Sequence, residues 1–303
     1  MTTDVITTPK APLTTGARGS NGTGHRPGEK SFGAGRVIAF AILIVLAIAW
    51  LLPFAWAIVT SLKSETDAAS SASWIPENGF TLGAYSQVLA EGNIPLWTVN
   101  SILTAVVITA LTVATGALAA YALSRLDFAG RRTWYIAIVA AIIVPPQVLI
   151  IPLFYQALAF NTVDTYLGLI LPQVVAPAMV FILAKFFDQV PIELEEAARV
   201  DGASRLRVFW SIVLPLSRPI LAAVSIFVFI SAWNNFLWPF LVINDTSLMT
   251  LPVGLQTVKS AFGVQYAQNM ASAILAALPL IIVFLFFQRQ IIKGISTTGL
   301  GGT

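Results

Sequence analysis

Six apolar runs of 21 to 27 residues dominate the chain, at residues 37–59, 97–123, 135–155, 166–187, 219–241 and 267–288. A bilayer core is crossed by about 20 helical residues, so each run is long enough to span it. Inside hydrocarbon every backbone N–H and C=O needs a partner within the protein, and a helix supplies all of them locally. The runs therefore predict an all-α integral membrane protein with six transmembrane helices. Composition agrees: the 303 residues are 57% hydrophobic and only 10% charged, against roughly 25% charged in a soluble domain. A soluble fold this apolar would expose large adhesive patches.

The basic residues give the runs a direction. Lys10, Arg18, Arg26, Lys30 and Arg36 precede the first run, and Arg125, Arg131 and Arg132 lie between the second and third. Lys185, Arg199, Arg205, Arg207 and Arg218 fall around the fourth–fifth connector, and Arg289 and Lys293 follow the sixth run. The alternate connectors hold only Lys63 and Lys259, so fifteen of the seventeen cations fall on one side. The positive-inside rule makes that side cytoplasmic and places both termini there. Trp97, Trp134, Tyr135, Tyr166 and Trp238 near the run ends fit an interfacial aromatic belt.

Several chemistries are excluded outright. There is no cysteine, hence no disulfide, thiolate metal site or cysteine nucleophile. The single histidine, His25, rules out a multi-histidine metal centre. The cations are scattered between apolar runs, which argues against nucleic acid as a partner. Residues 1–31 carry no apolar period and are expected to be a disordered cytoplasmic tail. Within it Gly24-His25-Arg26-Pro27-Gly28-Glu29-Lys30-Ser31 is a near miss to a phosphate-binding loop, spoiled by Glu29 and by the lack of a preceding strand. The first run exceeds the roughly 7–15 apolar residues of a cleavable signal core and reads as a retained span.

The spans are interrupted by polar and breaking residues. Pro53, Pro145, Pro146, Pro152, Pro172, Pro177 and Pro239 each remove a backbone donor and kink a helix. Thr112, Gly116 and Ala120 form a small-residue stripe for close helix packing, and Ala273, Ala276 and Ala277 do the same in the sixth run. Gln147, Gln173, Asn234 and Asn235 are placed in the middle or outer half of the membrane, Gln147 ~20 Å along the third helix at 1.5 Å per residue. Trp233 flanks the two asparagines. Amides that donate and accept, beside an indole face, suit a neutral polyhydroxylated solute; interhelical hydrogen bonding is the alternative use. No ionisable residue lies firmly mid-membrane, which disfavours an ion-coupled carrier.

The fourth–fifth connector, residues 188–218, is the most informative stretch. Pro191 suits a helix start, and Glu193, Glu195 and Glu196 suit its positive end. Arg199, four residues after Glu195, is placed for an ion pair with it. Gly202 allows the helix to stop, a second helix can begin near Ala203-Ser204, and Pro215 and Pro219 limit it. Two short helices joined by a glycine turn are predicted along the inner surface.

The order Glu196-Ala197-Ala198, three residues, Gly202, nine residues, Ile212, one residue, Leu214-Pro215 resembles the signature of membrane subunits of binding-protein-dependent ABC importers. The chain is similar in particular to the six-helix, maltose-type sugar permeases. Phe80-Thr81-Leu82 with Tyr85, Asn100-Ser101, Ala120-Tyr121-Ala122-Leu123-Ser124-Arg125, Gly130-Arg131, Pro145-Pro146-Gln147, Ile151-Pro152-Leu153-Phe154, Trp233-Asn234-Asn235-Phe236-Leu237-Trp238-Pro239 and Thr250-Leu251-Pro252-Val253-Gly254-Leu255 carry the likeness. It covers residues 37–293; the position of Asn235 is often acidic in such permeases.

The resemblance implies a type I ABC importer domain over residues 32–293, with residues 294–303 a short cytoplasmic tail. It implies a transport subunit rather than an enzyme, in a bacterial or archaeal cytoplasmic membrane. Expected partners are a second homologous permease, two cytoplasmic ATPase subunits that use ATP and Mg, an extracytoplasmic sugar-binding protein and the bilayer. No cofactor is expected on this chain. Glu195, Glu196, Ala197, Ala198, Arg199, Asp201 and Gly202 would form the ATPase-coupling segment, and Gln147, Gln173, Trp233, Asn234 and Asn235 the substrate pathway. The competing readings are an importer of another solute such as glycerol phosphate, and an ion-coupled secondary carrier.

Overall fold

The computed structural model describes residues 34–70, 72–91, 93–257 and 265–299. The expected tail over residues 1–31, with its glycine-rich near miss, lies outside them. The described secondary structure is wholly helical, as the solvation argument requires. Two units divide at Leu52/Pro53. The described part of the first is the leading portion of α1 (Ala34–Ser61); the second holds everything from Pro53 on.

After α1 come two short helices, α2 (Glu65–Ser70) and α3 (Gly83–Glu91), and then the 32-residue α4 (Ile94–Arg125). Next are α5 (Arg131–Ile143), a 3-10 turn over Pro146–Leu149, and α6 (Ile150–Ala159). α7 (Tyr166–Val174) and α8 (Pro177–Phe187) lead to α9 (Ile192–Val200) and α10 (Arg205–Val208). A π turn over Phe209–Val213 and the brief α11 (Leu214–Leu216) enter α12 (Arg218–Trp233). α13 (Leu237–Val242), α14 (Leu251–Thr257) and α15 (Tyr266–Gly299) complete the chain.

Three stretches, Val37–Ser61, Ile94–Arg125 and Tyr266–Phe286, are long and apolar enough to cross a membrane unbroken. Three bent pairs bring the described total to as many as six: α5 with the 3-10 turn and α6 at 95°, α7 with α8 at 45°, and residues 205–216 with α12 at 80°. The third expected span is thus not one straight helix. Pro145 and Pro146 turn the chain almost at right angles, so the depth of Gln147 cannot be counted at 1.5 Å per residue from the start of α5. That expectation is corrected.

The small-residue stripe of α4 packs against α8. Thr112 Oγ1 donates to the carbonyl of Val174, freed where α7 ends (3.1 Å), and a Cβ on Gly116 would touch Leu183 and Val180. Pro172 cannot donate to Gly168 O one turn earlier, and Trp238 Nε1 from α13 takes that place at 3.1 Å. One buried cluster joins α4, α8 and α12 to Val208, Phe209 and Val213 beyond the glycine turn. The fourth–fifth connector therefore shares the core of the spans.

The opposite end of α4 is tied just as firmly. Trp97 Nε1 donates to Thr246 O (2.8 Å), and Asn100 Nδ2 donates to Ser247 O (2.9 Å) and Met249 O (3.0 Å). Tyr166 donates to Asn100 Oδ1 (2.7 Å), and Leu251 N–H donates to Ser101 Oγ (2.7 Å). Glu65 accepts from the backbone N–H of Ala267 (3.2 Å) and Gln268 (2.8 Å) at the start of α15. Contacts here thus join the start of α4 to the fifth–sixth connector, and the first–second connector to the start of α15.

Candidate functional site

The fourth–fifth connector forms the expected hairpin. Pro191 precedes α9, with Glu193 and Glu195 in its first turn. Gly202 adopts φ +84°, a left-handed conformation that a side chain disfavours. Ala203 N–H then reaches back to Ala198 O (2.9 Å), and Ser204 caps α10 by accepting from Arg207 N–H (3.3 Å).

α9 has two unlike faces. Glu195 points inward, 3.2 Å from Arg125 at the end of α4; their side chains are only 7% and 6% exposed. The Arg125 guanidinium also donates to the carbonyls of Phe187 and Val190. Glu195 therefore does not pair with Arg199, as its spacing had suggested; Arg199 lies 4.0 Å from Glu196 instead. The solvent face presents Glu196, Ala197, Arg199, Val200, Asp201 and Gly202, while Ala198 is half-buried against the core. Of the seven candidate coupling residues, five are thus displayed together, Ala198 is half-buried and Glu195 belongs to the inner side.

A second site lies where helices break. A cavity of about 360 Å³ is lined from the α5/α6 bend by Pro146 and Gln147, from the α7/α8 bend by Gln173, and from the α12/α13 break by Ser231, Asn235 and Trp238. Its volume is within the roughly 300–1,000 Å³ of small-molecule sites. Asn235 Nδ2 donates to Gln173 Oε1 (2.7 Å), and Gln173 Nε2 donates to Leu169 O (2.8 Å). None of its described lining residues is ionisable.

The five pathway candidates divide. Gln147, Gln173 and Asn235 meet at the cavity; Trp233 and Asn234 do not line it. Trp233 is 2% exposed, stacked on Phe229 at 6.1 Å, and faces an apolar groove of about 880 Å³ between α4, α12 and α15. Asn234 is exposed at the end of α12. The reason is helical phase: Ser231 and Trp233 are two residues apart, about 200° around a helix. Val228 and Ser231, three residues apart on α12, line the cavity; Trp233 falls on the groove side with Phe229. The groove is larger, but its described polar lining is only Thr98, Thr109 and Ser225, so the cavity, where the amides converge, is the better candidate for a small-molecule site.

Arg125 stands in the sequence only as a connector cation and, with Tyr121, within a motif stretch, and Ser231 carries no signal there, so none of the three is expected as a site residue. No group of three or more His, Cys, Asp or Glu residues that could hold a metal ion occurs among the described residues.

Comparisons with known proteins place the chain in a family. The chain is 32% identical over 268 residues to the arabinooligosaccharides transport system permease protein AraQ of Halalkalibacterium halodurans, covering 88% of this chain and 95% of that one. It is 35% identical over 272 residues to the trehalose/maltose transport system permease protein MalG of Thermococcus litoralis, covering 88% and 97%. Among solved structures it resembles a chain of a bacterial ABC transporter involved in the import of the acidic polysaccharide alginate. The TM-score is 0.74 at 21% identity, over 86% of this chain and 97% of that chain, a likeness of fold. Residues 112–297 match the binding-protein-dependent transport system inner membrane component family, and the chain belongs to that family.

Proposed function

We propose that this chain is one membrane half of an ATP-driven importer of a neutral sugar or oligosaccharide, seated in a bacterial or archaeal cytoplasmic membrane with both termini inside. A second related permease would complete the pathway, and an external sugar-binding protein would deliver the solute. Two cytoplasmic ATPase subunits, using ATP and Mg, would supply the work.

The observation that carries this reading is the two-faced hairpin. Its inner face is fastened to α4 and α8 through Glu195 and Arg125. Its outer face offers Ala197 and Gly202, small enough for a partner surface to approach closely, beside the exposed Val200 and the charged Glu196, Arg199 and Asp201. Closure of the ATPase pair would displace the hairpin, and the bent pairs around the cavity would reorient. Two arrangements, each favoured by a different ligation state, open the cavity to one side and then the other. Gln147, Gln173 and Asn235 would offer hydrogen bonds to hydroxyls. A neutral solute is favoured over a phosphate ester because the described cavity lining carries no cation.

Gly202→Asp and Glu196→Lys test the docking face. Both variants should insert normally, lose ATPase co-purification and lose uptake; full ATPase yield with full transport would refute the assignment. For the solute, cells with and without the gene are given labelled mono- and oligosaccharides and a labelled phosphate ester. Gene-dependent uptake of sugars is expected, and uptake of the phosphate ester alone would overturn the sugar reading.

A further inference from the structure

We infer that Arg125 is the joint that makes the hairpin and α4 one rigid body, so that α4 carries a displacement of the hairpin to the connector held at its far end. The transport role of that motion rests on the reading of the hairpin as the ATPase-facing element.

Three observations carry the joint. First, the planar guanidinium serves three targets beyond α4: the Glu195 carboxylate on α9, the Phe187 carbonyl at the end of α8 and the Val190 carbonyl in the link between α8 and α9. The ion pair is almost fully buried, and separating it would leave an uncompensated buried charge. Second, Tyr121 lies one turn earlier on the same face of α4. Its hydroxyl donates to Arg205 O at 3.3 Å, and its ring meets Phe209 at 5.0 Å. Two attachments a turn apart fix an angle, whereas one would leave a pivot. Third, α4 runs unbroken for 32 residues, while the other helices around the cavity are bent or broken. From Arg125 to Ser101 is about 36 Å along the helix. There Trp97, Asn100 and Ser101 hold residues 246–251. The molecule therefore combines a straight rod anchored at both ends with bent helices that can yield around the cavity.

Arg125 is a positioning residue, and its chemistry sets it apart from an ordinary ion-pair partner. Lysine brings the charge without the planar fork. The exchanged pair Arg125→Glu with Glu195→Arg keeps opposite charges but leaves the Phe187 and Val190 carbonyls with no donor at position 125. A simple salt bridge would be rescued by that exchange; this joint would not.

The absence of native cysteines allows spin labels at Val200→Cys on α9, where Val200 is 88% exposed, and at the exposed Leu118→Cys on α4. In nanodiscs the parent chain should give one narrow inter-label distance distribution. Glu195→Gln, Arg125→Gln and the charge exchange should broaden it, and Arg125→Lys should fall between. Glu195→Gln keeps its volume and leaves both carbonyl contacts in place, which guards against simple misfolding. In the assembled importer, with Val200 and Leu118 unsubstituted, the ATPase subunits should still co-purify with the Arg125 and Glu195 variants, with solute imported per ATP falling on the order of tenfold, a typical coupling scale. A distribution as narrow as the parent's in both glutamine variants would overturn the inference, as would full rescue by the charge exchange or unchanged import per ATP. The distance measurement needs no ATPase. Uptake by the unmodified chain without ATPase would defeat the coupling reading and leave the joint standing.

Discussion

Gly168 is where a single added methyl group should do the most local damage. It sits in the first turn of α7, and a Cβ built there would lie 2.1 Å from Thr162 O and 2.8 Å from Thr162 C. The obstacle is backbone, held by Thr162 N–H to Ala157 O (2.9 Å) and by Thr165 Oγ1 donating to Thr162 O (2.6 Å). Reaching ordinary contact requires a shift of about 1 Å or more. Alanine would strain the cap in which Gly168 N–H donates to Thr165 Oγ1 (3.1 Å), worth ~1 kcal/mol. It would also strain the bond from Trp238 Nε1 to Gly168 O, worth ~1 kcal/mol, and add overpacking of about 1–3 kcal/mol. Alanine's helix preference returns about 0.5–1 kcal/mol. A net loss of about 2–4 kcal/mol is expected for Gly168→Ala. Unfolding of the purified chain in mixed micelles by added SDS, followed by tryptophan fluorescence, measures it. Because α7 carries Gln173 to Asn235, solute uptake should fall as well. Stability within about 0.5 kcal/mol of the parent, well inside ordinary surface-mutation scatter, would refute the reasoning.

Trp233→Ala and Asn235→Ala should part company. The first removes a buried indole and costs about 3–5 kcal/mol, lowering assembled yield; the second should spare yield and change uptake or solute preference. Equal effects on yield and preference would contradict the separation of the groove from the cavity. At the far end of α4, the backbone N–H groups of Asp245 and Asn244 hold the Asp164 carboxyl below its ordinary value. A depressed pKa gives a stabilisation that is complete above the unfolded carboxylate value and is lost as pH falls through the folded one. The thermal-stability gap between the parent and Asp164→Asn should therefore hold near neutrality and close on acidification below about pH 4; a gap that widens in acid would contradict this.

The six apolar runs were legible because hydrocarbon imposes length and composition on any span, and α4 and the hairpin followed expectation closely. Gly202 and Ser204 act locally, through a left-handed turn and a cap, so a short window suffices to find them. The bends were legible only in kind. Pro145, Pro146, Pro172 and Pro177 announce lost donors, but the 95° and 45° angles depend on what fills the gaps, such as Trp238 on Gly168 O. Glu195 shows the limit most clearly. Its four-residue spacing to Arg199 is a sound local signal, yet the carboxylate turns to Arg125, seventy positions away, because a buried partner with two carbonyls beside it outweighs an exposed one. Trp233 differs for another reason: adjacency to Asn234 and Asn235 suggests a shared face, but the indole lies about 200° around α12 from Ser231.

The central claim is that this chain conducts a sugar only when an attached ATPase moves its hairpin. Proteoliposomes holding the chain with its partner permease, ATPase subunits and external binding protein test it through accumulation of labelled oligosaccharide with and without ATP. The expected result is accumulation that needs ATP and the binding protein and disappears with Gly202→Asp. Equal accumulation in the absence of ATP, or with the ATPase subunits omitted, would contradict the account.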